Sequence, residues 1–418
     1  MTILDIRSFG CRLNTYESEV IRAAAKVAGL NDAVVFNTCA VTAEAMRQAR
    51  QSIRRARAER PGARIVVTGC AAQVNPRMFA SMPEVDLVLG NIEKLSPHSY
   101  RAFGLDEQEK VKVNSIAEVA EVASHMVGSF AGHSRAFVQI QNGCDHRCTF
   151  CIIPFARGPS RSVPIGAIIE ELRRLVHAGY HEAVLTGVDI TAYGADLPGR
   201  PALGVLVRKI LRSLPELRRL RLSSIDSVEA DSDLLRAFAE DERLLPHVHL
   251  SLQSGDDMIL KRMKRRHRRI DALTFTERLR QVRKDIVFGA DFIAGFPTET
   301  DQMFSNTLNH IQECRLTYLH IFPFSPHPGT PAARMPQLPA GLLSERAAIL
   351  RNKGARLRAD FMQGQIGKTR SVLVEHGNRG HTEHFAPVRF AAPVAPRTIT
   401  EAAITGCTSD HLLAAVLR

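Results

Sequence analysis

Six of the eight cysteines fall into two sets of three. Cys144, Cys148 and Cys151 lie in NGCDHRCTFCIIPFARGPSRS, a C-x3-C-x2-C triplet compact enough to wrap a single metal centre. Cys11, Cys39 and Cys70 are dispersed over FGCRLN, FNTCAVT and TGCAAQ. A cubane iron–sulfur cluster is ordinarily held by four thiolates. Three leave one iron without a protein ligand, where a small molecule can bind. Two such sites in one chain read as two reactive clusters rather than two electron wires. Phe150, just before Cys151, is placed to shield the cluster of the triplet. Zinc is the alternative for the triplet, but it needs a fourth ligand. His146 is near, yet it sits inside the loop at a poor spacing.

These cysteines have to be delivered by regular elements. Residues 1–103 alternate strands and helices in the pattern of a small parallel α/β sheet. Strands are expected over 3–9, 33–37, 64–69 and 85–90, and helices over 16–28 and 43–59. Cys11, Cys39 and Cys70 each follow a strand, and in an open parallel sheet the carboxyl ends of the strands share one edge. Three distant cysteines therefore converge. The plainer reading, three buried structural thiols, suits the burial preference of free cysteine but not the same strand-end position three times.

Residues 104–133 read as a connector, polar and lacking a clear core pattern. Over 134–364 a second alternation gives six strand–helix units, a partial barrel rather than a closed eight. The cysteine triplet directly follows its first strand, at the carboxyl-end mouth where barrel chemistry is done. Residues 365–418 are rich in β signals and suit a small β-barrel-like appendage.

Composition narrows the setting. Lys and Arg number 55 against 43 Asp and Glu, a surplus of +12 that suits an anionic partner such as RNA. No apolar stretch reaches the roughly 20 residues a membrane helix needs. MTILDIRSFGCRLN lacks the basic n-region and apolar run of a signal peptide. A cytoplasmic, reducing location is expected, where clustered cysteines are metal ligands rather than disulfides.

With these residues in place, the triplet resembles that of the radical S-adenosylmethionine (SAM) superfamily. LTGVD (185–189), LSSID (222–226), LQSG (252–255) and DFIAGFPTE (291–299) end successive strands, as that resemblance requires. It implies SAM contacts from Gly187, Asp189, Ser223, Gln253, Gly295 and Pro297. Taken whole, the chain resembles the methylthiotransferases: an N-terminal three-cysteine domain, a radical SAM barrel and a C-terminal TRAM domain. The resemblance implies a SAM-binding 4Fe–4S cluster on Cys144, Cys148 and Cys151. It also implies an auxiliary 4Fe–4S cluster, the sulfur supplier, on Cys11, Cys39 and Cys70. SAM would serve both as methyl donor and as radical source.

NTCAVTAEA, CIIPFARGPSRS, LTGVDITAYG, RLRLSSID and GHTEHFAPVRF are similar to the branch acting on N6-threonylcarbamoyladenosine (t6A). That implies methylthiolation of C2 of the base 3′ to the tRNA anticodon, with a low-potential electron donor and a sulfur source as further partners. Two positions depart from the family pattern: GCAAQ carries a small residue where an aromatic is common, and Phe385 stands where a tyrosine is usual. The neighbouring branches, on isopentenyladenosine and on a ribosomal-protein aspartate, are the rival readings. A non-catalytic iron–sulfur RNA-binding protein is the rival of another class.

Arg47, Arg50, Arg54 and Arg57 recur at helical spacing and share a face. Residues 261–269, KRMKRRHRR, form a second basic run. Either run alone is as often a solvated face as a nucleic-acid contact; in a tRNA enzyme, phosphate contact is the expectation for Arg47, Arg50 and Arg54. Arg157 and Arg161, beside the triplet, are candidates to reach the base or its threonyl carboxylate. Cys314 and Cys407 are expected to be packing residues, and His376, His381 and His384 surface histidines.

Overall fold

The computed structural model describes residues 4–101, 109–119, 127, 129–130 and 132–417. Its first sheet is wholly parallel and runs β1 (Leu4–Ser8), β2 (Ala33–Thr38), β3 (Arg64–Gly69), β4 (Leu87–Leu89) and β5 (Val111–Lys112). Every residue of β2 is buried, as expected for a strand covered on both faces. β5 comes from the stretch read as connector, which also contributes the buried Ile116, Val127 and Phe130. That expectation is corrected here: a two-residue strand and isolated apolar anchors carry no periodicity to detect. Residues 102–108, 120–126, 128 and 131 of that stretch and its border lie outside the described set.

The helix Arg12–Val27 begins four residues before its expected start, directly at Cys11. It has two apolar faces. Ile21, Ala24 and Ala25 pack on the first sheet, whereas Leu13, Tyr16 and Val20 join the core of the barrel. One helix thus joins the two units.

The barrel is built from β6 (Ala136–Gln139), β9 (Glu182–Thr186) and β10 (Arg219–Leu222), then β11 (His247–Gln253), β12 (Val287–Ala294) and β13 (Tyr318–Pro323). A short hairpin, β7 (Gln141–Asn142) with β8 (Arg161–Ser162), brackets the cysteine triplet. The halves β10-β9-β6 and β11-β12-β13 are linked through the bridges Leu220–Leu244 and Ile225–Leu250. The barrel is therefore partial, as expected. Its edge strand β6 is covered by the helix Arg12–Val27 and its edge strand β13 by the helix Ala340–Gln363.

Strands β14 (Thr369–His376), β15 (Arg379–Thr382), β16 (Pro387–Phe390), β17 (Ile399–Cys407) and β18 (Leu412–Val416) close a small barrel in the order 14-15-16-18-17. It docks under the large barrel, at the amino ends of the strands. Arg135 pairs with Glu375 at 2.6 Å and Arg219 donates to Ser371 Oγ at 2.9 Å. Phe385, at φ +66°, inserts there and stacks on His247 with ring centroids 5.4 Å apart. His376 is exposed and His381 half-buried against Glu375, but His384 is buried at 2% exposure. The expectation of a surface His384 fails because the docking interface covers it.

Candidate active site

The dispersed cysteines sit where their strands end. Cys11 caps the helix Arg12–Val27, Cys39 follows β2, and Cys70 opens the helix Cys70–Val74 directly after β3. Two glycines make the convergence possible. A Cβ on Gly10 would stand 2.8 Å from Cys39 Cβ, and one on Gly69, at φ +94°, would strike the Thr38 backbone. Cys70 raises the thiol pKa of both Cys11 and Cys39, which places the three within electrostatic reach of one another. Burial is the main cause at each and pushes Cys39 up to about 12. Cys11 is open to solvent by surface yet enclosed by neighbouring atoms, so it lines an interior space.

The triplet lies on a closed loop. Cys144 N donates to the Gly158 carbonyl at 3.0 Å, and Gly143, at φ +75°, leaves no room for a Cβ against Pro159. Burial pushes the Cys151 thiol up to about 12, with Cys148 and Cys70 adding to it. The influence of Cys70 ties the two cysteine sets to one locale. Arg265 Nη1 lies 3.7 Å from Cys148 Sγ while its Nη2 pairs with Asp226 at 2.7 Å. Phe150 packs beside Ile293, Phe296 and Phe324, covering one side of the loop as expected.

A cavity of about 230 Å³ opens between the loop after Cys39, the triplet loop and the barrel. Val41 and Thr42 line it from the first sheet, Phe150 and Cys151 from the triplet loop, and Gln253, Asp291 and Phe322 from the barrel. His327 Nε2 meets the Val41 carbonyl at 3.0 Å and fixes the first sheet's loop over the barrel mouth.

Of the residues expected at SAM, Gln253, at φ +68°, lines this cavity. Gly187 is pressed against Gln141 and Ile190, with no space for a Cβ. Asp189 accepts His146 Nε2 at 2.6 Å, and Asp189 and Glu229 hold His146 protonated by raising its pKa to about 9. Ser223 Oγ is buried without a hydrogen-bond partner, a group free for a ligand. Gly295, at φ +72°, donates its N–H to Glu299 Oε2 at 3.2 Å, and Pro297 follows it, buried. Ligating atoms of Cys144, His146 and Asp189 come within 4.8 Å of one another, so His146 is nearer to the triplet than its spacing suggested.

The basic residues divide. Arg47 and Arg54 are exposed and Arg50 is half-buried. Arg57 is spent on the carbonyls of Pro61, Ala63 and Glu84. In the run 261–269, Arg262, Arg265 and Arg269 bond within the fold, to Thr298, Asp226 and Glu313, while Lys261, Lys264 and Arg268 are exposed. Arg157 and Arg161 are corrected. Arg157 is 2% exposed and bonds Glu17 and Asn14; Arg161 is 5% exposed and donates to the carbonyls of Val119, Pro159 and Arg157. The Arg157 guanidinium is fully occupied, and Arg161 spends both terminal nitrogens on these carbonyls, leaving only its buried Nε without a partner. Cys314 and Cys407 pack as expected, Cys314 fully buried and Cys407 against the small barrel's core.

Sequence reading missed a polar group inside the barrel. His249 Nε2 lies 2.8 Å and His320 Nδ1 3.3 Å from Asp291 Oδ1. Burial alone would raise the Asp291 pKa, but the two histidines outweigh it and lower it. It also missed Arg12, whose enclosed guanidinium lies 5.4 Å from the Phe385 ring centroid. Burial and the nearby Arg135 charge both lower the Arg12 pKa, against partial relief from Glu182 and Asp291. The signal for the barrel group was in β11 itself. His247, His249, Ser251 and Gln253 alternate with Val248, Leu250 and Leu252, the period of a strand with one polar face.

Residues 138–311 match the radical SAM superfamily and residues 4–90 match an uncharacterised protein family, UPF0004. The threonylcarbamoyladenosine tRNA methylthiotransferase MtaB of Rickettsia prowazekii is 51% identical over 98% of this chain and 96% of its own. This chain belongs to the radical SAM methylthiotransferase family, in its threonylcarbamoyladenosine branch. The MtaB of Thermotoga maritima is 34% identical over 98% of both chains. A tRNA-2-methylthio-N6-dimethylallyladenosine synthase of Erythrobacter litoralis is also 34% identical, over 88% of this chain and 86% of its own. Among solved structures, the radical SAM methyltransferase TsrM of Kitasatospora setae superposes with a TM-score of 0.60 at 15% identity, over 80% of this chain and 77% of its own. That likeness concerns the fold. Among the described residues no helix is long and apolar enough to cross a membrane.

Proposed function

We propose that the chain transfers a methylthio group to C2 of t6A, 3′ to the anticodon of tRNA, using SAM and two 4Fe–4S clusters. The observation that carries this reading is the shared cavity, lined at once by the loop after Cys39, by Cys151 and by three barrel strands. A sulfur site, a SAM site and a substrate must adjoin one space for this reaction, and this cavity has walls from the first sheet, the triplet loop and the barrel.

The donor sets suit such clusters. Each offers three thiols on loops whose turns are made by glycines, Cys39 and Cys70 buried and the triplet half-buried. Cys144, Cys148 and Cys151 would hold the SAM cluster, and Cys11, Cys39 and Cys70 the auxiliary one. When bound, these groups supply the radical that activates an unreactive C–H bond and the sulfur that replaces it. The chain's own residues position and exclude. Phe150 and Phe322 give the cavity an apolar wall. Arg265 places a positive charge beside Cys148 Sγ, within 3.7 Å. His146 fixes Asp189, and Gly187, Ser223, Gln253, Gly295 and Pro297 complete the barrel-mouth segments that would cradle SAM. A low-potential electron donor and a sulfur source complete the cycle, in a reducing compartment.

Iron content and SAM cleavage test the division of labour. Replacing Cys144, Cys148 and Cys151 by Ala should leave about one cubane cluster and abolish 5′-deoxyadenosine formation. Replacing Cys11, Cys39 and Cys70 should also leave about one cluster, with SAM cleavage retained but no methylthio product. A reconstituted wild-type chain with iron for a single cluster would refute the two-site reading.

A further inference from the structure

The barrel floor gathers four arginines around few acids. Arg135, Arg219 and Arg221 all pair with Glu182, at 3.0, 3.3 and 3.2 Å. Arg135 also reaches Glu375, and Arg221 donates to the carbonyls of Glu383 and Thr382. Arg12 is the fourth. It enters from the first sheet's helix, immediately after Cys11, and shares the Phe385 ring with Arg135 and Arg221, whose guanidinium carbons lie 5.1 and 4.9 Å from its centroid.

Arg12 alone of the four has no hydrogen bond or ion pair for its guanidinium among the described residues. Its closeness to the Phe385 ring satisfies none of its five donors. This half-buried cation therefore keeps its donors available to a ligand. Asp291, which lines the cavity, is already engaged by His249 and His320.

We propose that Arg12 receives the terminal carboxylate of the substrate's side chain and is the residue that selects t6A. This deepens the reading above and rests on it. The t6A side chain ends in a carboxylate, which matches the planar fork of a guanidinium with two parallel hydrogen bonds. An isopentenyl group in the same place would cover the cation and leave it unpaired, a mismatch that discriminates strongly. Arg157 and Arg161, which follow the triplet in sequence, turn their terminal nitrogens to internal partners. The placement has a mechanical consequence. Cys11 and Arg12 are consecutive, so the element that contributes to the sulfur site also reads the far end of the substrate.

The test compares anticodon stem-loops carrying t6A with stem-loops carrying its carboxamide, in which the acid is neutral and the shape kept. Full-length enzyme is reconstituted anaerobically with SAM, reductant and sulfide. Wild type should prefer the acid by about 10- to 100-fold in kcat/KM, the range for a hydrogen bond to a charged group. Arg12→Gln should lose that factor on the acid and change little on the amide, while Arg12→Lys should recover part of it. Iron content and SAM cleavage report whether each variant is intact. Fluorescence anisotropy of the two stem-loops on wild-type enzyme gives the same comparison without a variant, and should favour the acid. Equal losses on acid and amide in Arg12→Gln would make Arg12 a structural support of Phe385 and overturn the proposal. So would equal affinity of wild type for both stem-loops. Wild type that converts only the isopentenyl stem-loop would overturn the t6A reading and this proposal together, a result distinct from the other two.

Discussion

The Arg157 guanidinium meets the Glu17 carboxylate through two hydrogen bonds, of 2.8 and 3.0 Å, and so joins the loop of one cysteine set to the helix that starts at the other. Lys94 grips the same carboxylate at 2.7 Å. Burial alone would raise the Glu17 pKa, but the two cations hold it at about 2. This is a polar rivet between two units whose relative position sets the geometry of the shared cavity.

Breaking that rivet should be expensive. Arg157→Gln removes one of the two cations on buried Glu17, leaving Lys94 alone to offset its charge, and takes a donor from Asn14; breaking a buried pair typically costs up to about 3–5 kcal/mol. The expected result is a lower urea midpoint and earlier proteolysis. Glu17→Gln combined with Arg157→Gln should cost less than the sum of the single changes, the signature of a direct coupling.

Gly69→Ala probes the strand end that presents Cys70. The new Cβ would strike the Thr38 backbone at a φ of +94°, which suits glycine. Iron should fall from about two clusters to about one, and SAM cleavage should persist because the triplet is untouched. Full iron in this variant would mean that Cys70 is not a ligand.

Glu171 makes stability depend on pH. Burial raises its pKa from 4.5 to about 8, against opposing hydrogen bonds from Val127 and Tyr16. The folded chain therefore keeps a proton that the unfolded chain releases between those values, so this contribution to stability falls as pH rises from 4.5 to about 8. Glu171→Gln should raise the thermal midpoint at pH 8, leave it nearly unchanged below pH 4.5, and flatten the profile between. An unaltered profile would show that the carboxyl is not the group responsible.

Binding of tRNA should weaken with salt, and exposure indicates which cations take part. Arg47 and Arg54, with Lys261, Lys264 and Arg268, face solvent. Removing one cation that neutralises a phosphate should flatten the slope of log affinity against log salt by about 0.7–0.9. Arg47→Gln with Arg54→Gln tests the first group; an unchanged slope would assign binding to the second.

Much of this architecture is legible in the sequence. The cysteine sets announce themselves by type and spacing, and the strand-end position of Cys11, Cys39 and Cys70 follows from alternating periodicity. The arginines mislead because sequence gives proximity along the chain, not direction. Arg157 and Arg161 stand beside the triplet in sequence but turn inward to Glu17 and to loop carbonyls. Arg12, by contrast, reads as an ordinary residue after a cysteine. Its significance comes from Phe385, 373 residues later, and from Arg135 and Arg221, which converge on the same ring. His384 reads as a surface residue because nothing local signals the docking of the small barrel under the large one.

The most direct test is the product itself. Reconstituted enzyme is given SAM, reductant and sulfide with anticodon stem-loops carrying t6A, isopentenyladenosine or plain adenosine, and the nucleosides are measured by mass spectrometry. The account predicts 2-methylthio-t6A as the product, with little conversion of the other two. Equal or better conversion of the isopentenyl substrate would contradict it.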